Sequence, residues 1–179
     1  MLIREMKPEL AEDWFDFFDA RAFADHEDWK GCYCTHFFSP RLAEYRGSRR
    51  RRDYAAWLVE RGIMRGYLSY DQGKVVGWCN VNHKAAFPRM SGLATNEERV
   101  VAITCFLIQK EHRGQGIAQK ILDRIIEDAK KRKRKIIEAY PRPRASSDFG
   151  NYHGPLALYE KNGFRLELLG ETQVARRYL

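Results

Sequence analysis

The chain lacks an apolar run of membrane length. Its longest is Val100-Val101-Ala102-Ile103 and, across Thr104, Cys105-Phe106-Leu107-Ile108, far short of the ~20 apolar residues that a spanning helix needs. The first residues, Met-Leu-Ile-Arg-Glu-Met-Lys-Pro, carry charge early and hold no apolar signal core, so a cytoplasmic location without membrane attachment is expected. Cysteine is scarce, with Cys32, Cys34, Cys79 and Cys105 making the full set of 4. Cys32 and Cys34 form C-x-C rather than C-x-x-C, and no second pair completes a zinc set. No metal is expected, and the thiols are expected to be free in a reducing compartment. Internal repeats and Gly/Ser-rich or Pro-rich linkers are also missing. At 179 residues, a single domain over residues 1–179 is expected.

The chain does carry an excess of positive charge, 32 Lys+Arg against 24 Asp+Glu, for a net +8. Two runs account for it: Arg49-Arg50-Arg51-Arg52 and Lys130-Lys131-Arg132-Lys133-Arg134-Lys135. Outside them the chain is close to neutral, which excludes a disordered cationic tail or a histone-like protein. An anionic ligand, nucleic acid and a merely solvated surface all remain compatible with the two clusters.

Hydrophobic patterning predicts alternating strands and helices. Residues 2–6 read as a strand. Pro8 opens a helix to about Ala22, with Leu10, Trp14, Phe17 and Phe18 at helical spacing. An aromatic-rich irregular segment follows, then a second helix over about 41–61, ended by Gly62. Residues 66–70 and 74–82 form a hairpin around Asp71-Gln72-Gly73, and residues 83–98 read as a loop. Residues 100–108 are almost wholly apolar, as a strand buried on both faces should be. The stripe Ile117, Ala118, Ile121, Leu122, Ile125, Ile126 and Ala129 marks an amphipathic helix. A strand over 135–140, a loop, a short helix from Gly154 or Pro155 to Asn162, and a final strand pair complete an α/β chain. The total is about seven strands in mixed pairing and about four helices.

Between the apolar strand and the amphipathic helix lies Arg113-Gly114-Gln115-Gly116-Ile117-Ala118. A strand feeding a glycine turn that opens a helix makes an anion site, because the first N–H groups of the helix lack acceptors. A tight structural turn would carry the same glycines. The pattern is neither a Walker loop nor the Rossmann G-x-G-x-x-G.

This segment resembles the pyrophosphate motif [QR]-x-x-G-x-[GA] of the GCN5-related N-acetyltransferases (GNAT), which Arg113, Gly116 and Ala118 satisfy. Leu158-Tyr159-Glu160-Lys161-Asn162-Gly163-Phe164 is similar to that family's L-Y-x-x-x-G-F ending. The resemblance is specific over about 99–166 and topological over 1–98. It implies a GNAT fold with a splayed cofactor cleft. Residues 1–98 would form the substrate-side half, 99–166 the acetyl-CoA-binding core and 167–179 the closing strand. It also implies acetyl-CoA as cosubstrate, with an acetyl group moved to a primary amine by direct attack in a ternary complex. Phe106, Leu107 and Ile108 would offer backbone groups to pantetheine. Arg113, Gly114, Gln115, Gly116, Ile117 and Ala118 would hold the pyrophosphate, largely through N–H groups. Where many relatives have Asn, seven residues before the tyrosine, this chain has Tyr152, so Asn151 or the Tyr152 hydroxyl would have to substitute.

Acetyl transfer needs a neutral amine, stabilisation of the carbonyl oxygen as it gains charge, and a proton for the leaving thiolate. The Ile108 N–H suits the second need. Tyr159 matches the family tyrosine that meets the third, although a tyrosine that only packs beside the cofactor would look the same. Glu138, near the end of a strand adjoining the splay, is a candidate base or an attractor of cations. His83 has a suitable intrinsic pKa, and a surface histidine fits it equally. Trp29, Tyr33 and Trp78, with His83, are candidate acceptor-pocket residues; a small core under a long loop would use the same aromatics. The acceptor is expected to be a small-molecule amine or a protein amino group, and a homodimer is compatible with the sequence. The rival class is a non-catalytic CoA-binding module, or an RNA- or ribosome-associated one using the basic clusters. Absence of interleaved aromatic recognition motifs disfavours RNA.

Overall fold

The structure is a computed structural model that describes residues 1–39, 47–90, 99–142, 151–170 and 172–179. Sequence expectations for 40–46, 91–98, 143–150 and 171 lie outside these residues. Among the described residues, seven strands form one mixed sheet in the order β1-β2-β3-β4-β5-β7-β6. They are β1 (Leu2–Glu5), β2 (Gly66–Asp71), β3 (Lys74–His83), β4 (Val100–Ile108), β5 (Ile136–Ala139), β6 (Arg165–Leu169) and β7 (Thr172–Tyr178). Pairing is antiparallel except for β4 with β5, which run parallel through the crossover helix α3 (Ile117–Lys131).

Two cores sandwich the sheet. On one face α1 (Ala11–Asp16) and α2 (Ser48–Glu60) place Trp14 and Leu58 against Leu68, Trp78 and Leu107. On the other, the apolar stripe of α3 packs with Tyr159 and Phe164 against Cys79, Ile103, Phe106 and Ile137. The stripe falls where the sequence predicts it. Helix α1 is shorter than expected, because a π-helical stretch over Phe17–Arg21 continues it. That stretch keeps Phe17 and Phe18 inside while Asp19 meets the Tyr33 hydroxyl at 2.6 Å.

Two features open a cleft in the sheet. β4 pairs with β5 only from Val100 to Ile103, after which the strands part. At that point β4 carries a bulge: Asn80 faces Cys105 and Val81 faces Ile103, leaving Thr104 as the extra residue. The loop before α4 (Leu156–Lys161) fills part of the gap, and the Phe106 N–H donates to the Tyr152 carbonyl at 2.7 Å.

Candidate acetyl-transfer site

A groove of about 390 Å³ follows the open edge of β4 to the start of α3. Its walls include Phe106, Leu107 and Ile108 from β4, Arg113, Gly114, Gly116, Ile117 and Ala118 from the turn, and Asn151, Tyr152 and Gly154 from the loop. Gly114 and Gly116 both have positive φ, 74° and 75°, where a side chain would be strained. A Cβ at either would meet no protein atom within 4 Å, so both face open space. Among the described residues no side chain caps the start of α3. The N–H groups of its first turn therefore point outward without intrahelical acceptors, with the positive end of the helix dipole behind them. An anion such as a pyrophosphate fits this cradle, and the apolar walls along β4 fit a pantetheine arm.

The sequence-predicted residues divide. Gln115 turns back to donate to the Glu111 carbonyl at 2.9 Å and does not line the groove. Arg113 lines the groove, but its guanidinium is bound to Asp25 at 2.6 and 3.2 Å and to the Ile108 carbonyl at 3.0 Å. Those bonds hold the Asp25 carboxyl below its ordinary pKa. The positive charge offered to a phosphate at this turn thus comes from the backbone, a correction to the expectation for the Arg113 side chain. The Phe106 N–H is likewise engaged by Tyr152 and is not open to pantetheine. Along β4 the N–H groups alternate: Phe106 points to the gap and Gln109 bonds to Val76 of β3. Ile108 therefore directs its N–H into the gap.

A second cavity, about 330 Å³, adjoins the first on the α1–α2 side of the sheet and shares Trp29, Leu107 and Tyr152 with it. Its other walls include Cys32, His36, Phe37, Arg51, Cys105 and Arg142. The aromatic segment therefore serves both purposes that its composition allows. Trp29 and Phe37 line the cavity, while Tyr33 and Trp78 turn into the core, Trp78 packing edge-on to Trp14 at 5.8 Å. Tyr33 and Trp78 are thus not on the wall of either cavity.

His83 lies at the far end of the sheet, opposite Val101, where its ring meets the Arg134 guanidinium at 3.1 Å. Burial, then nearby arginines, lower its pKa. It is remote from the open end of β4 and cannot serve acetyl transfer there. Glu138 is fully buried: Tyr140 donates to it at 2.8 Å, Arg176 binds it through Nε and Nη2, and Lys84 Nζ lies 3.0 Å away. With both oxygens bound in a closed cluster, Glu138 is a structural anchor between β5, β7 and the residue after β3, not a base. Strand position alone suggested otherwise.

Tyr159 is also fully buried. Its hydroxyl donates to the His153 carbonyl at 2.5 Å and lies directly behind Gly154, a groove residue. Burial raises its pKa strongly, so it keeps its proton. Sequence reasoning missed His153 altogether. Its Nδ1–H donates to the Thr104 carbonyl at 2.7 Å, inside the bulge. Burial pushes its pKa down to about 4, so the ring is neutral near pH 7. Arg51 and Arg142 were missed as well, whereas His36 belongs to the aromatic segment whose composition suits a pocket wall. A heptad-scale reading of residues 48–60 would have separated Arg51 from its neighbours; nothing in the sequence marks Arg142.

Three residues of the basic runs are held by carboxylates. Arg52 bonds Asp19 at 2.8 Å and lies over the Phe15 ring. Arg132 grips Glu5 at 2.6 and 2.7 Å, and Lys131 pairs with Glu127.

An open mixed sheet splayed beside a helix N-terminus is the architecture of acyl-CoA-dependent acyltransferases. The acetyltransferase (GNAT) family profile matches residues 4–164, and the chain belongs to that family, whose members take acetyl-CoA as cosubstrate. Solved structures of the same fold include the ribosomal-protein-alanine N-acetyltransferase from Brucella melitensis, 14% identical, with all of both chains covered and a TM-score of 0.57. The paia N-acetyltransferase from Thermoplasma acidophilum, in complex with coenzyme A, is 16% identical over all of both chains, with a TM-score of 0.58. The GNAT domain of S. lividans PAT is 16% identical, covering 99% of this chain and 89% of its own, with a TM-score of 0.60. Identities this low speak for the fold. No curated protein matches the sequence at a significant level. Among the described residues no helix is long and apolar enough to cross a membrane, and no cluster of metal-ligating side chains occurs.

Proposed function

We propose that the protein is an N-acetyltransferase that moves the acetyl group of acetyl-CoA to a primary amine by direct attack in a ternary complex. The observation that carries this reading is the junction of the two cavities at Trp29, Leu107 and Tyr152. The thioester supplies the acetyl group, and the residues of this chain do the rest. The turn at Gly114 and Gly116 and the first turn of α3 bind the pyrophosphate through N–H groups. Leu107 and Tyr152 orient the pantetheine end toward the acceptor cavity. The Ile108 N–H stands where the carbonyl oxygen gains negative charge, beside the apolar side chains of Trp29 and Phe106.

The acceptor must lose a proton. His36, on the acceptor-cavity wall, has its pKa lowered by burial and by Arg89, so its neutral form can take that proton. Tyr159 holds a proton behind the Gly154 wall, and a turn of its hydroxyl away from His153 would deliver it to the departing thiolate. One domain over residues 1–179 performs the reaction, with 1–98 supplying most of the acceptor cavity and 99–166 the cofactor groove. The test is release of free CoA thiol from acetyl-CoA with a panel of primary amines. Turnover with at least one amine is expected, and a protein that binds CoA yet acetylates none would reduce this chain to a binding module.

A further inference from the structure

The acceptor cavity has a charge pattern that the transfer chemistry does not require. Arg51 enters it from α2 and Arg142 from the segment after β5. Among the described residues neither guanidinium has a carboxylate partner. Arg51 Nη1 reaches only the Gly31 carbonyl, at 3.5 Å, and Arg142 lies over the Tyr152 ring, 5.4 Å from its centre. Of the neighbouring arginines, Arg113 pairs with Asp25 and Arg52 with Asp19, while Arg89 acts on His36. One acidic residue, Asp28, shares the wall, and it too makes no ion pair among the described residues. The cavity thus presents two cations and one anion around an apolar floor of Phe23, Phe37 and Leu107.

Resting on the acetyl-transfer reading above, we propose that the acceptor is a small primary amine that also carries a carboxylate, an amino acid or close analogue. Arg51 and Arg142 hold the carboxylate, Asp28 attracts the ammonium group, and the apolar floor takes a side chain. Guanidinium matches a carboxylate with paired N–H donors. At about 330 Å³ the cavity is at the small end of ligand sites, which suits a compact molecule. The covalent step stays balanced. The amine nitrogen bonds to the acetyl carbon as the carbon–sulfur bond breaks. The ammonium group gives up two protons: the first passes to His36 before attack, and the second leaves the nitrogen as the carbon–sulfur bond breaks and replaces the proton that Tyr159 gives to the thiolate, so that free CoA and the amide are the products.

The experiment compares each of the nineteen protein amino acids that carry a primary amine with its α-carboxamide, in which the amine is kept and the negative charge of the α-carboxylate removed. Turnover with acetyl-CoA gives kcat/KM, and calorimetric titration into the CoA-loaded protein gives Kd. The proposal expects at least one amino acid to exceed its carboxamide by about tenfold or more in both measurements, the usual range for charge-assisted bonds. Arg51→Gln and Arg142→Gln should collapse that ratio toward one, and Arg51→Lys should restore part of it. Thermal melting of each variant confirms that it is folded. Equal binding and turnover of acid and amide, or a ratio untouched by either Gln variant, overturns the proposal. If carboxylate-selective binding is lost in Arg51→Gln but no amine is ever acetylated, the ligand class stands and the catalytic reading falls.

Discussion

The hydroxyl of Tyr159 donates to the carbonyl oxygen of His153 across 2.5 Å, at full burial on the side of the sheet that carries α3. That bond fixes the loop between β5 and α4 from beneath, just where the loop crosses the gap in the sheet. It gives one side chain two duties, to hold the groove wall and to keep a proton near it.

Tyr159→Phe separates those duties. Loss of the bond leaves a buried carbonyl unpaired, at a cost of about 1–3 kcal/mol, read as a lower denaturation midpoint. If Tyr159 also protonates the thiolate, kcat falls while the KM for acetyl-CoA changes little. An unchanged kcat in the folded variant would falsify the acid role.

Gly154→Ala attacks the same contact from the groove side. Gly154 has a φ of 87°, and an added Cβ would stand 2.7 Å from the Tyr159 hydroxyl and 3.1 Å from the Phe106 ring. Backbone strain of about 1–2 kcal/mol adds to the clash. Reduced thermal stability and weakened acetyl-CoA binding are expected together, and a variant as stable as the parent would show that the wall relaxes freely.

Gly116→Val tests the anion cradle. Its φ of 75° suits a β-branched residue badly, and the side chain would project into the open space that a pyrophosphate needs. Acetyl-CoA affinity measured by calorimetry should fall by well over about tenfold, with the circular dichroism spectrum retained. Undiminished affinity would place the cofactor phosphates elsewhere.

Stability should weaken in acid through His153. Its pKa falls from 6.5 in the unfolded chain to about 4 in the fold, so the unfolded state takes up a proton first as the pH drops. The contribution is complete above about pH 6.5 and is lost as the pH falls toward 4, by about 3 kcal/mol at most by linkage. His153→Gln should flatten the dependence of the urea midpoint over this window. An unchanged slope would mean that other groups govern it.

Glu138→Gln should cost about 3–5 kcal/mol, because it removes the buried anion that Lys84 and Arg176 share. Chemical denaturation reads the loss. The fraction that remains folded should keep its kcat, since Glu138 lies outside both cavities.

The cofactor half was legible because its physics is local. A buried strand, a glycine turn and a helix with one apolar stripe are neighbours in the chain, and each leaves a periodic mark. The acceptor half was not, because its walls come from separate segments whose meeting depends on the twist of the sheet. Arg51 looked like one charge in a solvated run until α2 was placed, and Glu138 looked like a free carboxylate until Arg176 of β7 and Lys84, just after β3, closed on it. Trp78 and Tyr33 could serve core or cavity equally well by composition. Only the face each takes decided between them.

Thr104 sets the phase of the whole arrangement. Before the bulge, Ala102 faces the α1–α2 core and Ile103 the α3 core. After it, the odd-numbered Cys105 and Leu107 face α1–α2 and the even-numbered Phe106 faces α3. One unpaired residue has switched the parity of β4 halfway along its length. Deleting it would rotate the strand's outer half by a full step, exchanging the acceptor floor for the cofactor wall. The two substrates would then find each other's lining, so β4 tolerates changes of residue far better than changes of count.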